Sequence, residues 1–285
     1  MVYALEAIKA MPGGTQPVLM HCSDGYFYVV KPSNNLQGAP SGRILTNDFL
    51  GSRLASMLGL SVPPCAVVDV SSELIADSPL LRVRFGFRAR KSFFWKPGPH
   101  FGSRFPGDPA VARVLKMLPA QLLGGVENLD DFVGMLCLDR LCGQVDGRQA
   151  MFVLSPFGGT YRVVFIDQGF YFGADKWVFY DLPRYGLYQH PQVYRSVRGF
   201  SSFAPWLARI RANWDAETIA TIAGEVPPAW YEHDQESFVA LIEQLQERPT
   251  KLPQLLRETA RHAKSHFPRW NDQSARGPLL EAGSA

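Results

Sequence analysis

Strand-like runs dominate roughly the first third of the chain, and apolar residues at helical spacing dominate the rest. Residues 18–22 and 26–31 are two short β-type runs with Ser23-Asp24-Gly25 between them, and Asp-Gly in that place predicts a hairpin. In the second run, alternation sets Phe27, Val29 and Lys31 on one face and Tyr28 and Val30 on the other. A lysine that shares a face with apolar neighbours either snorkels to the edge or meets an anion. Residues 32–42 are rich in Pro, Ser, Asn and Gly and predict a mobile loop. Such a loop can fold over phosphate through backbone N–H groups, although Gly38 and Gly42 form no Walker-type or G-x-G-x-x-G pattern. Thr46-Asn47-Asp48 then opens a helix, with Thr46 or Asn47 as N-cap and Asp48 in the first turn. Leu50, Leu54, Met57 and Leu58 supply its apolar stripe, and Gly59 ends it.

Strands are expected over 65–70 and 80–87. Residues 88–105 are basic, aromatic and rich in Gly and Pro, which predicts a long loop covering a groove; the Gly-His-Ser portion is left open. Helical spacing predicts a short helix over 110–118 and a longer one over 129–142. Residues 170–188 are aromatic and loop-like. Four more helices are expected over 205–212, 215–223, 232–246 and 252–267, with Asp215 and Thr250 as caps, before a frayed tail over 270–285.

The stretch 144–167 holds the candidate chemistry. A helix end leads to Asp146 in a polar loop, then two apolar runs, 151–154 and 161–166, flank a Gly158-Gly159 break, and Asp167 follows. Two carboxylates held at the two ends of one rigid hairpin suit a magnesium–phosphate site, one orienting or deprotonating a nucleophile and the other holding the metal. They equally suit a surface hairpin with two turn aspartates.

Composition narrows the class. The chain has 285 residues, 46% hydrophobic and 19% charged, which fits a globular protein of one large domain or two lobes. A net charge of +3 is too small at this length to argue for nucleic acid. No apolar run approaches the ~20 residues that span a bilayer, and the first twelve residues lack the apolar core of a secretory signal. Cys22, Cys65, Cys137 and Cys142 form no C-x-x-C pair and read as buried thiols of a cytoplasmic protein. The pattern is α+β: a β-rich lobe over 1–88 and a helical lobe over 89–285 that carries the central hairpin.

The order of parts resembles the protein-kinase-like architecture, and specifically the HipA-like kinase family. The matching residues are Tyr28-Val29-Val30-Lys31-Pro32, Leu45-Thr46-Asn47-Asp48, Leu54-Ala55-x-x-Leu58-Gly59-Leu60-x-Val62-Pro63, His100-Phe101-Gly102-Ser103, Asp146-Gly147-Arg148-Gln149-Ala150, Phe165-Ile166-Asp167-x-Gly169 and Val226-Pro227-Pro228-x-Trp230-Tyr231. The resemblance implies one kinase domain over about 17–268, in a bacterial, cytoplasmic protein using ATP and Mg²⁺. It implies that Lys31 grips the ATP phosphates, with Ser33 and Gly42 in the following loop as further nucleotide contacts. Asp48 stands where the family usually has Glu, and is either the partner of Lys31 or a plain helix N-terminal charge. Asp146 is the implied catalytic aspartate and Asp167 the implied Mg²⁺ ligand. Five residues after Asp146, where kinases usually have a second metal ligand, stands Met151; Gln149 is the candidate substitute. An alignment starting from Asp139 is disfavoured, because Asp139 lies within a helical pattern. The implied partner is a phosphoryl acceptor, on a protein or a small molecule, and family members also pair with a small antitoxin. The alternative is an inactive, pseudokinase-like binding module.

Overall fold

The computed structural model describes residues 1–35, 41–85, 91–155 and 158–271. Residues 36–40 of the expected 32–42 loop, Arg88 and Arg90 of the basic stretch, and nearly all of the expected frayed tail lie outside these residues. In chain order the first lobe contains β1 (Val2–Ala10), β2 (Val18–Cys22), β3 (Phe27–Lys31), α1 (Ser41–Met57), β4 (Cys65–Val70), α2 (Ser72–Asp77), β5 (Arg82–Phe85), β6 (Lys91–Phe94) and β7 (Gly98–Arg104). Five of these strands close a barrel in the order β1-β2-β3-β7-β4, and β5 and β6 form a separate two-stranded ribbon. Val18, Met20 and Cys22 of β2, Tyr28 and Val30 of β3, and Val68 and Val70 of β4 share one buried cluster. That leaves Val29 and Lys31 on the other face of β3, as alternation predicts.

The second lobe holds β8 (Val114–Leu115), α3 (Asp131–Leu141), β9 (Gln149–Leu154), β10 (Tyr161–Ile166), α4 (Ala204–Asn213), α5 (Ala216–Gly224), α6 (Gln235–Glu247) and α7 (Leu252–His262). Helix α3 is buried on every side from Phe132 to Leu141, so it forms the axis of the lobe's core. The β9–β10 hairpin pairs Gln149 with Ile166. The loop before β9 and the chain after β10 therefore leave from the same, open end of the hairpin.

The structure departs from the expected elements in places with clear physical causes. Strand β1 escapes the alternation pattern because bulges between Ala4 and Glu6 and between Ala7 and Lys9 break its period of two. The expected loop over 88–105 is a strand where it matters most. Residues 98–104 pair with both β3 and β4 at the centre of the barrel, so the barrel draws on residues beyond 88. Glycine suggested a loop there, but a Cβ on Gly102 would stand 2.5 Å from Val68 Cγ2 and 3.2 Å from Tyr28 Cδ1; the strand needs glycine to close the barrel. The expected helix over 110–118 is a turn closed on the Asp108 carbonyl, followed by β8 on the edge of β9.

Helix α1 begins at Ser41, not at Thr46-Asn47-Asp48, so neither Thr46 nor Asn47 is an N-cap and Asp48 is not in the first turn. From Ile44 to Ser52 it is buried on all sides between the barrel and the second lobe, which hides its start from any amphipathic pattern. Its end follows expectation. Gly59 takes φ +68°, Leu60 N–H donates to Ala55 O and Gly59 N–H to Ser56 O, which is a Schellman stop. Asp215 caps α5 through Thr218 N–H as predicted. Thr250 caps nothing, since its hydroxyl donates to Glu247 O.

Candidate active site

Lys31 ends β3 opposite Phe101 of β7, and its ammonium does not snorkel. Nζ lies 2.7 Å from Asp48 Oδ2 and 2.8 Å from Asp167 Oδ1, with the lysine side chain 12% exposed and Asp48 1%. One cation thus joins the barrel, α1 and the exit of the β9–β10 hairpin. The helix N-terminal reading of Asp48 is replaced by the ion pair. Burial alone would push the Lys31 pKa down, but Asp167 and Asp48 outweigh it and hold the ammonium charged well above its ordinary range. Lys31 holds the Asp167 carboxyl below the usual carboxylate range. Burial, with the Asp167 charge adding to it, pushes Asp48 up despite Lys31.

Asp167 leaves β10 with φ +65°, in the left-handed region that costs a non-glycine residue of order 1 kcal/mol or more. Of the six described non-glycine residues with positive φ, five fall between 167 and 181: Asp167, Phe172, Ala174, Trp177 and Asp181. Strain is therefore concentrated in the segment that follows Asp167, and named side chains hold it there. Asn47 Nδ2 donates to the carbonyls of Gly169, Tyr171 and Ala174, each at 2.9 Å, and its Oδ1 accepts from Trp177 Nε1. Arg248 forks onto Asp181 and caps α3 through the carbonyls of Arg140 and Leu141. Arg140 donates to the carbonyls of Leu182 and Tyr185. Close approach is built in as well: a Cβ on Gly51 of α1 would stand 2.5 Å from Gln168 Cβ, and one on Gly169 would stand 3.0 Å from Asp48 Oδ2.

Asp146 is half-buried, in the loop between α3 and β9. Backbone bonds fix that loop against the 167–188 segment: Val145 N–H to Phe170 O, Gly186 N–H to Asp146 O and Arg148 N–H to Leu187 O. Gln144 Oε1 accepts from the amides of Val145 and Asp146. Beneath the loop, Arg148 Nε donates to Asp139 Oδ2 at 3.0 Å, Nη2 to Asp139 Oδ1 at 2.5 Å and Nη1 to Ile166 O at 2.9 Å, while Tyr171 OH donates to Asp139 Oδ1. Asp139 is fully buried, so it supports the loop and presents nothing to a substrate.

The remaining candidates have distinct placements. Gln149 is exposed at the start of β9, and its amide bonds to the Asp167 carboxylate. Met151 lies two residues along the same strand, opposite Val164. Ser33 N–H donates to Nδ1 of the buried His100, whose Nε2 bonds to Lys96 O. Gly42 lies in the first turn of α1, where a Cβ would stand 2.1 Å from Trp230 O; the space its missing side chain leaves is filled by the second lobe. Lys31, Asp48, Asp167 and Gln149 thus come together, Asp146 shares the open end of the hairpin with Asp167, and Gly42 packs elsewhere. Sequence reasoning missed Asn47 as an organiser, taking it for a cap, and missed the Asp139–Arg148 pair. The signal for that pair was a charged residue in an otherwise apolar helix, which must find a partner.

The donor set fits a magnesium–nucleotide ligand. A carboxylate and an amide oxygen are two of the six hard donors that Mg²⁺ takes, and phosphate oxygens and water ordinarily supply the rest. Gln149 is exposed, and with its amide nitrogen on Asp167 its oxygen remains as a donor. Three buried atoms here, Asp48 Oδ1, Gln144 Nε2 and Gln168 Nε2, have no partner among the described residues, and such atoms call for a ligand or ordered water.

Residues 6–104 match the model of the HipA-like kinase family. No curated protein matches the chain in sequence. Among solved structures, the Helicobacter pylori proinflammatory kinase CtkA is similar at a TM-score of 0.56 and 13% identity, over 90% of this chain and 94% of that one. Hydra Fam20, solved with sugar, is similar at a TM-score of 0.52 and 12% identity, over 94% and 88%. HipA of Shewanella oneidensis MR-1, solved with HipB and operator DNA, is similar at a TM-score of 0.51 and 11% identity, over 89% and 67%. The fold is the two-lobed protein-kinase-like one, and the resemblance to HipA-like kinases holds. Family match and fold together support a phosphotransferase. Among the described residues, no helix is long and apolar enough to cross a membrane.

Proposed function

We propose that the protein is an ATP- and Mg²⁺-dependent kinase that transfers the γ-phosphate to a hydroxyl, on a protein acceptor. The observation that carries this is Lys31 bonded to both Asp48 and Asp167 at the mouth of the Asp146 loop. Lys31 would hold the phosphates, kept in place by Asp48. Asp167 and Gln149 would hold the metal, which when bound neutralises charge on the transferring phosphoryl group. Asp146 would orient the acceptor hydroxyl and take its proton. These residues position groups and balance charge, and none forms a covalent intermediate. The Shewanella structure, which contains HipA with HipB, motivates a further proposal: a small antitoxin-like protein as partner.

The test is thermal shift with ATP alone and with ATP plus Mg²⁺, on wild type and Asp167→Ala, followed by phosphoryl transfer with Asp146→Asn. Ligand at about a hundred times its Kd stabilises by about 2.7 kcal/mol, a readily measured shift. We expect a Mg²⁺-dependent shift that Asp167→Ala abolishes, and transfer that Asp146→Asn abolishes with nucleotide binding intact. A second reading, a nucleotide-binding pseudokinase, is favoured by Met151, a poor magnesium ligand, on the strand that carries Gln149. Binding without transfer to any acceptor, autophosphorylation included, would select it. No shift with any purine nucleotide would refute both.

A further inference from the structure

Arg43, in the first turn of α1, belongs to no group described above. Its Nε donates to Asp234 Oδ2 at 3.1 Å and its Nη2 to Asp234 Oδ1 at 2.6 Å, a fork onto one carboxylate. Its Nη1 donates to the carbonyls of Asp175 at 3.0 Å and Lys176 at 3.3 Å, and the guanidinium lies 4.6 Å from the centre of the Trp177 ring. The side chain is 14% exposed and Asp234 23%. Asp234 precedes α6 as its N-cap residue, yet its side chain makes no cap bond; the carboxylate is committed to Arg43, which holds its pKa below the usual range. One side chain therefore ties α1 to the start of α6 and to the strained segment after Asp167.

Two neighbouring features act in the same sense. Asn47, one turn along α1, holds the carbonyls of Gly169, Tyr171 and Ala174. Trp230 sits against Gly42 and Phe49 and donates from Nε1 to Pro99 O, joining the second lobe to α1 and β7 together. The next polar residue of α1 after Asn47 is Asp48, the partner of Lys31. Between Asp167 and Tyr188 the sequence contains no Ser or Thr, so no such hydroxyl is present in that segment to order it by phosphorylation.

We propose that Arg43 is a positioning residue for the nucleotide site: a permanent bridge that seats α1 on the second lobe and so holds Asp48 against Lys31. The proposal rests on the kinase reading above. Its test is the affinity for Mg·ATP, measured by calorimetry, in a cycle of wild type, Arg43→Ala, Asp48→Asn and the double variant, with Asp234→Asn and Arg43→Lys alongside. We expect Arg43→Ala to weaken binding about tenfold, a coupling of ordinary size between contacting networks. Asp234→Asn, which leaves α1 unchanged in sequence and keeps an oxygen for Arg43, should weaken it less, and Arg43→Lys should restore part of the loss. In the Asp48→Asn background Arg43→Ala should have no further effect, because its route to the nucleotide is already cut. A tenfold loss in that background too, an Asp48→Asn variant that binds as wild type does, or an unchanged Arg43→Ala would each overturn the positioning role while leaving the kinase reading in place. A wild type that binds no nucleotide would end both. If Arg43→Ala does not fold, the same cycle is run with Asp234→Asn in its place.

Discussion

Replacing His100 with glutamine should flatten the acid side of the stability curve. His100 is fully buried on β7, against Trp95, and makes two opposed bonds. Lys96 O can only accept, so Nε2 carries the proton; Ser33 N–H can only donate, so Nδ1 must be bare. Protonating Nδ1 would set two hydrogens against each other in a fully buried site. Burial, outweighing the bond to Lys96 O, accordingly pushes the imidazole from its ordinary 6.5 down to about 4. The unfolded chain takes the proton near 6.5 and the folded chain does not until about 4, so acid favours the unfolded state. This contribution to stability is present in full above about 6.5 and is lost as pH falls toward 4. The slope is about 1.4 kcal/mol per pH unit, which amounts to about 2 kcal/mol by pH 5 and about 3 kcal/mol across the window. Asp48 acts in the opposite direction, since its folded pKa is raised to about 6 and acid favours the folded state there. It is present in both proteins and cancels in their difference. The assay is urea unfolding of wild type and His100→Gln at pH 7, 6 and 5, with equal m-values as the check that the same surface is exposed. The stability gap between them should shrink by about 2 kcal/mol between pH 7 and pH 5. A gap that stays constant over that range would refute the neutral, doubly bonded imidazole.

Two further predictions concern the scaffold beneath the site. Asp139→Ala leaves the Arg148 guanidinium buried without its counter-charge, and should cost about 3–5 kcal/mol in chemical denaturation; a cost under about 1 kcal/mol would mean that the pair is dispensable. Gly51→Ala places a Cβ 2.5 Å from Gln168 Cβ and 2.7 Å from the Tyr171 ring. It should destabilise by about 1–3 kcal/mol through overpacking, whereas Gly224→Ala, where nothing lies within 4 Å, should be neutral or stabilising. Equal effects of the two alanines would refute the tight seat of α1 on the segment after Asp167.

The features readable from the sequence were those set by local chemistry. The Asp24-Gly25 turn, with Gly25 at φ +81°, the Gly59 helix stop and the Asp215 cap each satisfy a backbone need within a few residues, so composition reports them. Alternation placed Lys31 on its face, and the apolar runs flanking Gly158-Gly159 marked the hairpin between Asp146 and Asp167, because both follow from strand geometry. What escaped depends on contacts distant in sequence. Gly102 reads as a loop residue until Val68 and Tyr28 are known to lie across from it. The start of α1 was hidden because a helix buried all round has no polar face to mark its period. Its buried Asn47 resembles a cap to any local reading, and only the segment from Gly169 to Trp177 shows what it binds.

That difference also separates two kinds of residue within the site. Asp146 and Gln149 are half-buried or exposed, and each follows from its place beside the hairpin. Asp48, Asn47, Arg148 and Asp139 are buried, and each satisfies another buried group. A positively strained segment needs such support, because residues at φ near +60° relax once their carbonyls are released. The side chains of Asn47, Arg43, Arg248 and Arg140 take up carbonyls, or in one case the side chain, of residues 169 through 185 in sequence order. The geometry of Asp167, at the head of that run, is thus held by polar groups contributed from two different helices, α1 and α3, and the turn after α6. Chemistry at this site is therefore expected to respond to substitutions far from any nucleotide, and to respond together: loosening α1 at Arg43 or the segment at Asn47 perturbs the same carboxylate.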